Sequence, residues 1–141
     1  MRAINILEWI LRIAGLGALV LGLLIWTLQL DTAINFHMLF GLAVALTLLI
    51  ISLLAIFTRG LRVLGIVGIV YAFILPILGI NQVFLLTGDQ HWLIQVVHML
   101  VGIGALALAG VMGARYRRLK KTSSQATLGQ TETDGVKSIA R

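Results

Sequence analysis

Two short segments of the chain repeat one pattern of residues that can do chemistry. Residues 37–41 read His-Met-Leu-Phe-Gly, and residues 98–102 read His-Met-Leu-Val-Gly. Each segment lies in a long apolar run, where an ionisable side chain is energetically costly and points to function. A histidine can bind a metal ion or transfer a proton. Two histidines at equivalent positions therefore indicate one shared site.

The composition indicates that lipid is the solvent for most of the chain. Of the 141 residues, 60% are hydrophobic and 11% are charged, against about 45–50% and about 25% in globular domains. Four stretches lack charged residues, and each can cross a hydrocarbon core of about 30 Å. We predict an all-α, integral membrane, four-helix up-down bundle over residues 1–116. Its helices are expected at about 8–30, 33–57, 61–86 and 91–116.

The positions of the basic residues predict how the helices are oriented across the membrane and on which side the two termini lie. Arg2 and Arg12 precede the first span, Arg59 and Arg62 flank the second turn, and seven of the eleven basic residues lie at or after Arg115. The positive-inside rule then predicts that both termini lie on the cytoplasmic side of the membrane. We expect this to be a bacterial-type inner membrane or a plasma membrane. Because the basic cluster adjoins a span, it indicates a lipid surface and no nucleic acid. Residues 117–141 are expected to form a basic juxtamembrane run and a disordered tail.

Three local features refine this outline. Glu8 and Arg12 are spaced to pair on a helix surface, and the acidic residue argues against the competing interpretation of residues 1–30 as a signal peptide. Pro76 should kink the third helix. The polar residues from Gly79 onward leave two possibilities for 79–90, a helix extension or an interfacial segment.

The histidine segments belong to a larger duplication, in which two tandem two-helix repeats build the bundle. Helices two and four then run in the same direction, with His37 and His98 roughly 6–9 Å below the same interface. In a bundle whose neighbouring helices pack 8–10 Å apart, these helices are diagonal and roughly 12–14 Å apart. That gap can hold an iron with an imidazole on each side and a flat macrocycle between the helices.

The neighbours of the histidines complete a predicted cofactor site. Small residues one turn deeper leave room for a ring, although small residues in membrane helices usually serve helix packing. A glutamine one turn before the second histidine can hydrogen-bond an imidazole or a ligand, and its counterpart in the first repeat is Ile34. The methionines beside the histidines lie about 100° round the helix from them and are expected to serve packing or to form the pocket wall. The predicted cofactor-binding residues are His37, His98, Gly41, Gly102, Gln95, Met38 and Met99.

Other chemistries find little support in the sequence. The absence of cysteine excludes disulfides and thiolate metal sites. Two imidazoles alone do not complete a zinc or copper site, and Asp31 and Asp89 are expected at the outer rim. The sequence shows no Ser-His-Asp set, phosphate loop or paired carboxylates, so an enzyme is the less expected outcome.

One histidine on helix two and one on helix four, about sixty residues apart, resemble one four-helix half of the haem A synthase family over residues 8–116. The Gln95-x-x-His98 pattern resembles the non-catalytic, haem-holding half of that family. The catalytic half has a glutamate three residues before the histidine, where this chain has Ile34 and Gln95. The resemblance thus implies b-type haem binding without the oxygenation chemistry. Small four-helix membrane cytochromes b are a looser match.

These observations predict a membrane electron-transfer protein with one haem b per chain, held near the outer face by His37 and His98 as metal ligands. Because one haem near one face cannot carry electrons across the whole membrane, a homodimer or a larger respiratory-type complex is expected. A cofactor-free accessory or assembly subunit is the alternative, with the histidines in interhelical hydrogen bonds. A small transporter is the second alternative, disfavoured because the cores of the spans hold no acidic residue.

Overall fold

The computed structural model describes the backbone of residues 2–139 and the side chains of residues 4–30, 32–122 and 125. Four long helices and two 3-10 turns make up the fold, and the described backbone contains no strand. Each helix includes a segment long and apolar enough to cross a membrane, so the predicted all-α integral membrane bundle is confirmed. The helices are α1 (Arg2–Leu28), α2 (Ile34–Ile56), α3 (Arg62–Asn81) and α4 (His91–Ile139), and the 3-10 turns are Asp31–Ala33 and Gln82–Phe84.

The helices form a ring in chain order, and α2 is the central member. It packs closely against α1 and α3, whereas α4 meets its neighbours more sparsely. Across the diagonal α2 and α4 also touch, with Cα atoms within 8 Å. With each Cα about 2.3 Å from its helix axis, this contact allows the axes to be at most about 12.6 Å apart, near or below the lower end of the predicted 12–14 Å. Fully buried Ala105 and Ala109 on α4 explain the approach, because small side chains let membrane helices pack closely.

Close packing is strongest toward the turn between α2 and α3. A Cβ atom on Gly65 would lie 2.8 Å from the backbone carbonyl oxygen of Ser52, and one on Gly68 would overlap the Ser52 hydroxyl. Glycine is required at both positions for α3 to lie this near α2. Leu48 and Met112 complete a core that is almost fully buried. We call this region the basic end of the bundle, and it includes the chain around Glu8 and Arg117. The opposite end contains His37 and His98, and we call it the histidine end.

Two predicted boundaries differ from the structure. Helix α3 ends at Asn81, so its predicted extension to residue 86 is wrong, and a 3-10 turn followed by irregular chain links it to α4. The backbone stays helical through Ile139, where the sequence predicts disorder after Thr122. That segment contains no proline, and it continues a helix that is already nucleated, which removes the cost of starting one, although its Ser, Thr and Gly residues have low helix propensity.

Candidate histidine site

The two repeat-related histidines meet across the diagonal of the bundle. His37 on α2 and His98 on α4 have ring centroids 6.0 Å apart, with 60° between the ring planes. The rings approach edge to face, and both side chains are half-buried. The structure thus brings together the pair that the sequence singled out.

A hydrogen bond to the neighbouring helix fixes the His37 ring. Its Nδ1 lies 2.9 Å from the carbonyl oxygen of Ala18 on α1. Because a carbonyl oxygen only accepts, Nδ1 carries the proton, and Nε2 keeps its lone pair. Gly22 on α1 makes room for the ring, since a Cβ there would lie 3.0 Å from the ring carbon Cε1. Metal-binding histidines are commonly oriented by such a bond from the second ring nitrogen.

His98 occupies a similar seat but lacks the hydrogen bond. Its ring lies over Gly79 of α3, where a Cβ would stand 3.3 Å from Cε1. Within the described part of the chain, His98 Nδ1 is the buried side-chain polar atom without a hydrogen-bond partner. Such atoms are rare in native proteins and call for a specific explanation, of which a ligand is one.

Open space lies one turn deeper than the histidines on both helices. A Cβ atom on Gly41 or on Gly102 would meet no heavy atom within 4 Å. This contrasts with Gly22 and Gly79, which lie against the imidazole rings. Contact with another part of the described chain does not account for these two glycines, and a flat ring lying against α2 and α4 would need such open positions. Gly110 on α4 is open in the same way.

The remaining predicted site residues contribute unequally. Met38 is 53% exposed and faces the outside of the bundle, so its position does not favour the predicted role in the pocket wall. Met99 and Gln95 are half-buried on α4. His91 precedes Trp92 at the start of α4, and its Nδ1 lies 3.4 Å from the carbonyl oxygen of Leu85. It belongs to the connection between α3 and α4, outside the pair.

The donor set fits a bis-histidine haem better than a bare metal ion. Among the described residues, no group of three or more His, Asp or Glu side chains could hold a metal, so a complete protein-only zinc site is absent from them. A porphyrin supplies four nitrogen ligands itself and asks the protein for only two. The two rings already lie at 6.0 Å in an edge-to-face contact, which is an ordinary distance for a ring pair, so at least one ring would have to turn for both nitrogens to point at a shared iron.

The basic end contains a second polar cluster, which was not predicted from the sequence. Arg117 on α4 donates from one guanidinium nitrogen to both carboxylate oxygens of Glu8 on α1, at 2.6 and 2.7 Å. The predicted partner Arg12 stands further away, at 4.0 Å. A Cβ on Gly113 would overlap the Glu8 carboxylate, so glycine is what admits this side chain. The sequence feature that could have indicated this pair is the acidic Glu8 in the mostly apolar first helix, together with the basic residues at the end of the last span.

Comparison with known proteins adds no relative. No protein-family model, no curated protein and no solved structure matches the chain. The resemblance to one half of the haem A synthase family therefore stays a prediction, which rests on the spacing of the two histidines and on Gln95.

Proposed function

We propose that this chain is a membrane b-type haem protein in which His37 and His98 hold one haem as axial ligands. The observation that carries the proposal is the 6.0 Å separation of the two imidazole rings across α2 and α4. Two features of the surroundings add support: the unpartnered Nδ1 of His98 and the open space beside Gly41 and Gly102. A haem with two histidine ligands transfers single electrons and offers no open iron position to a substrate.

The protein's own residues prepare this site in two ways. The Ala18 carbonyl oxygen accepts a hydrogen bond from Nδ1–H of His37, which leaves Nε2 of that ring free as a ligand. Gly22 and Gly79 let the Cε1 edge of each ring approach the neighbouring helix. Electron transfer across the whole membrane would need a second protein or a second copy, so we propose a homodimer or a respiratory-type complex as the working form, with both termini in the cytoplasm.

The decisive experiment is a visible absorption spectrum of the full-length protein, expressed with haem supplied and purified in detergent. The oxidised protein should show a Soret band, and dithionite should produce sharp α and β bands of a six-coordinate haem. His37→Ala and His98→Ala should each abolish the six-coordinate spectrum, whereas the third histidine provides a control, because His91→Ala should keep it. A haem-free spectrum that persists after reconstitution would overturn the proposal.

A second candidate function is a cofactor-free accessory or assembly subunit. The observation in its favour is the His37–Ala18 hydrogen bond, which joins α2 to α1 without any ligand. In that case His37→Ala and His98→Ala would have mild and unequal effects on stability, and neither would change a visible spectrum. The predicted small transporter finds no such specific observation.

A further inference from the structure

The basic end carries a rim of exposed cationic side chains drawn from three parts of the chain. Helix α1, the turn between α2 and α3, and the part of α4 that leaves the apolar span all contribute to it. Each side chain of the rim is exposed to the surroundings of the bundle. The rim consists of Arg12, Arg59, Arg62, Arg115, Arg118 and Lys121.

Contacts place these three parts at one height along the bundle. The guanidinium of Arg12 reaches back to within 4.0 Å of the Glu8 carboxylate, and Arg117 of α4 binds the same carboxylate, so α1 and α4 are level there. The turn joins them, because a Cβ on Gly60 would lie 3.9 Å from the side chain of Leu119. The cations are thus spread around the bundle at the depth where the apolar spans end.

The carboxylate described at this end offsets little of this charge, and Arg12 of the rim lies 4.0 Å from it. Glu8 is the acidic residue at this end, its side chain is 8% exposed, and Arg117 already binds both of its oxygens. Asp31 and Asp89 belong to the connections at the histidine end. The next acidic residue along α4, Glu132, lies about 16 Å beyond Lys121 at the helical rise per residue.

We propose that this rim binds the headgroups of anionic phospholipids in the leaflet that surrounds the basic end. Arginine guanidinium groups match phosphate oxygens with paired, charge-assisted hydrogen bonds. Lys and Arg clusters beside a membrane helix are attracted to anionic headgroups within about one Debye length of the surface. The candidate span of α4 runs from His91 to Thr122, so Arg118 and Lys121 fall on its last turns, at headgroup level. The inference is independent of haem binding at the other end.

The test uses the full-length protein in phosphatidylcholine vesicles with a trace of spin-labelled lipid. Electron spin resonance separates the labelled lipid that the protein immobilises from the freely moving lipid. Labelled phosphatidylglycerol should associate several-fold more strongly than labelled phosphatidylcholine, and high salt should weaken that preference. Arg118→Gln combined with Lys121→Gln should bring the association of phosphatidylglycerol down toward that of phosphatidylcholine, since each charge near the surface contributes up to about fivefold.

The charge-preserving exchange Arg118→Lys with Lys121→Arg is the matched control and should keep most of the preference. Equal association of the two lipids with the unaltered protein would overturn the proposal, whether or not any variant folds. A preference that survives high salt, or that both double variants retain equally, would also overturn it, because the cations of the rim would then not be its cause.

Discussion

The two ends of the bundle treat buried polar groups in opposite ways. At the basic end Glu8 is a buried charge, and Arg117 donates to both of its oxygens. At the histidine end His37 has a partner in the Ala18 carbonyl, but His98 Nδ1 has none. At the basic end the buried carboxylate is hydrogen-bonded by a protein side chain, whereas at the histidine end a buried ring nitrogen has no hydrogen-bond partner.

Glycines show the same contrast. The Glu8 side chain occupies the space beside Gly113 at the basic end, and atoms of α2 occupy the space beside Gly65 and Gly68. Gly41 and Gly102 at the histidine end face open space. Gly22 and Gly79 at the histidine end also lie against side chains, and Gly110 near Gly113 is open, so the contrast concerns the individual glycines beside each polar site rather than every glycine of an end.

This difference separates stability from function within one small fold. A locally satisfied and densely packed region holds the helices together, whereas departures from full satisfaction are expected where a protein binds something else. If this division is correct, substitutions at the basic end should be costly and those at the histidine end should be tolerated by the cofactor-free fold.

The largest effect should come from Arg117→Leu. It leaves the Glu8 carboxylate buried without its main partner, which costs 3–5 kcal/mol for a fully buried pair. Because Arg117 is itself 37% exposed, we expect a smaller loss, about 2–3 kcal/mol. Unfolding by denaturant in mild detergent, followed by far-ultraviolet circular dichroism, measures the change.

Arg115→Leu is the matched control on the same helix, because Arg115 is exposed. Its effect should stay within about 0.5 kcal/mol. Equal losses for the two variants would contradict the view that the Glu8–Arg117 pair closes this end.

Gly113→Ala tests the packing beside that pair. The new methyl group would overlap the Glu8 carboxylate, and displacing the carboxylate should cost about 1–3 kcal/mol. Gly110→Ala, one turn earlier on α4, is its counterpart, since a Cβ there meets nothing within 4 Å. It should be neutral or stabilise the helix by about 0.5–1 kcal/mol. If the two variants unfold alike, the contact between Gly113 and Glu8 does not restrict the fold.

The sequence was informative where a single periodic signal decides the outcome. Long uncharged runs predicted four membrane-length helices, and the repeated histidine segments predicted a pair that does meet. The close approach of α2 to α4 was not predictable, because it depends on how Ala105 and Ala109 pack against the rest of the core. The pairing of Glu8 with Arg117 joins residues 109 positions apart, and sequence spacing indicated only the local partner Arg12.

Replacing each histidine by leucine distinguishes the ring that has a hydrogen-bond partner from the ring that has none. In the cofactor-free protein His37→Leu removes the hydrogen bond to Ala18 and should cost about 1 kcal/mol. His98→Leu removes an atom without a partner and should be neutral or slightly stabilising, because an apolar group of similar size avoids the desolvation penalty. The same unfolding measurement compares them, and a larger loss for His98→Leu would reveal a partner for its ring within the protein.

The glycines that face open space should have small effects on stability. Gly41→Ala and Gly102→Ala add a methyl group where nothing lies within 4 Å, so each should stabilise the cofactor-free helix by about 0.5–1 kcal/mol. Gly102→Leu would instead fill the space proposed for the macrocycle and should reduce haem binding, measured as the Soret absorbance per mole of protein. Gly110→Leu, on the same helix and also open, controls for a general effect of bulk and should retain the haem. If Gly102→Leu binds haem as the unaltered protein does, the ring does not stand beside Gly102, and the open histidine end needs another occupant.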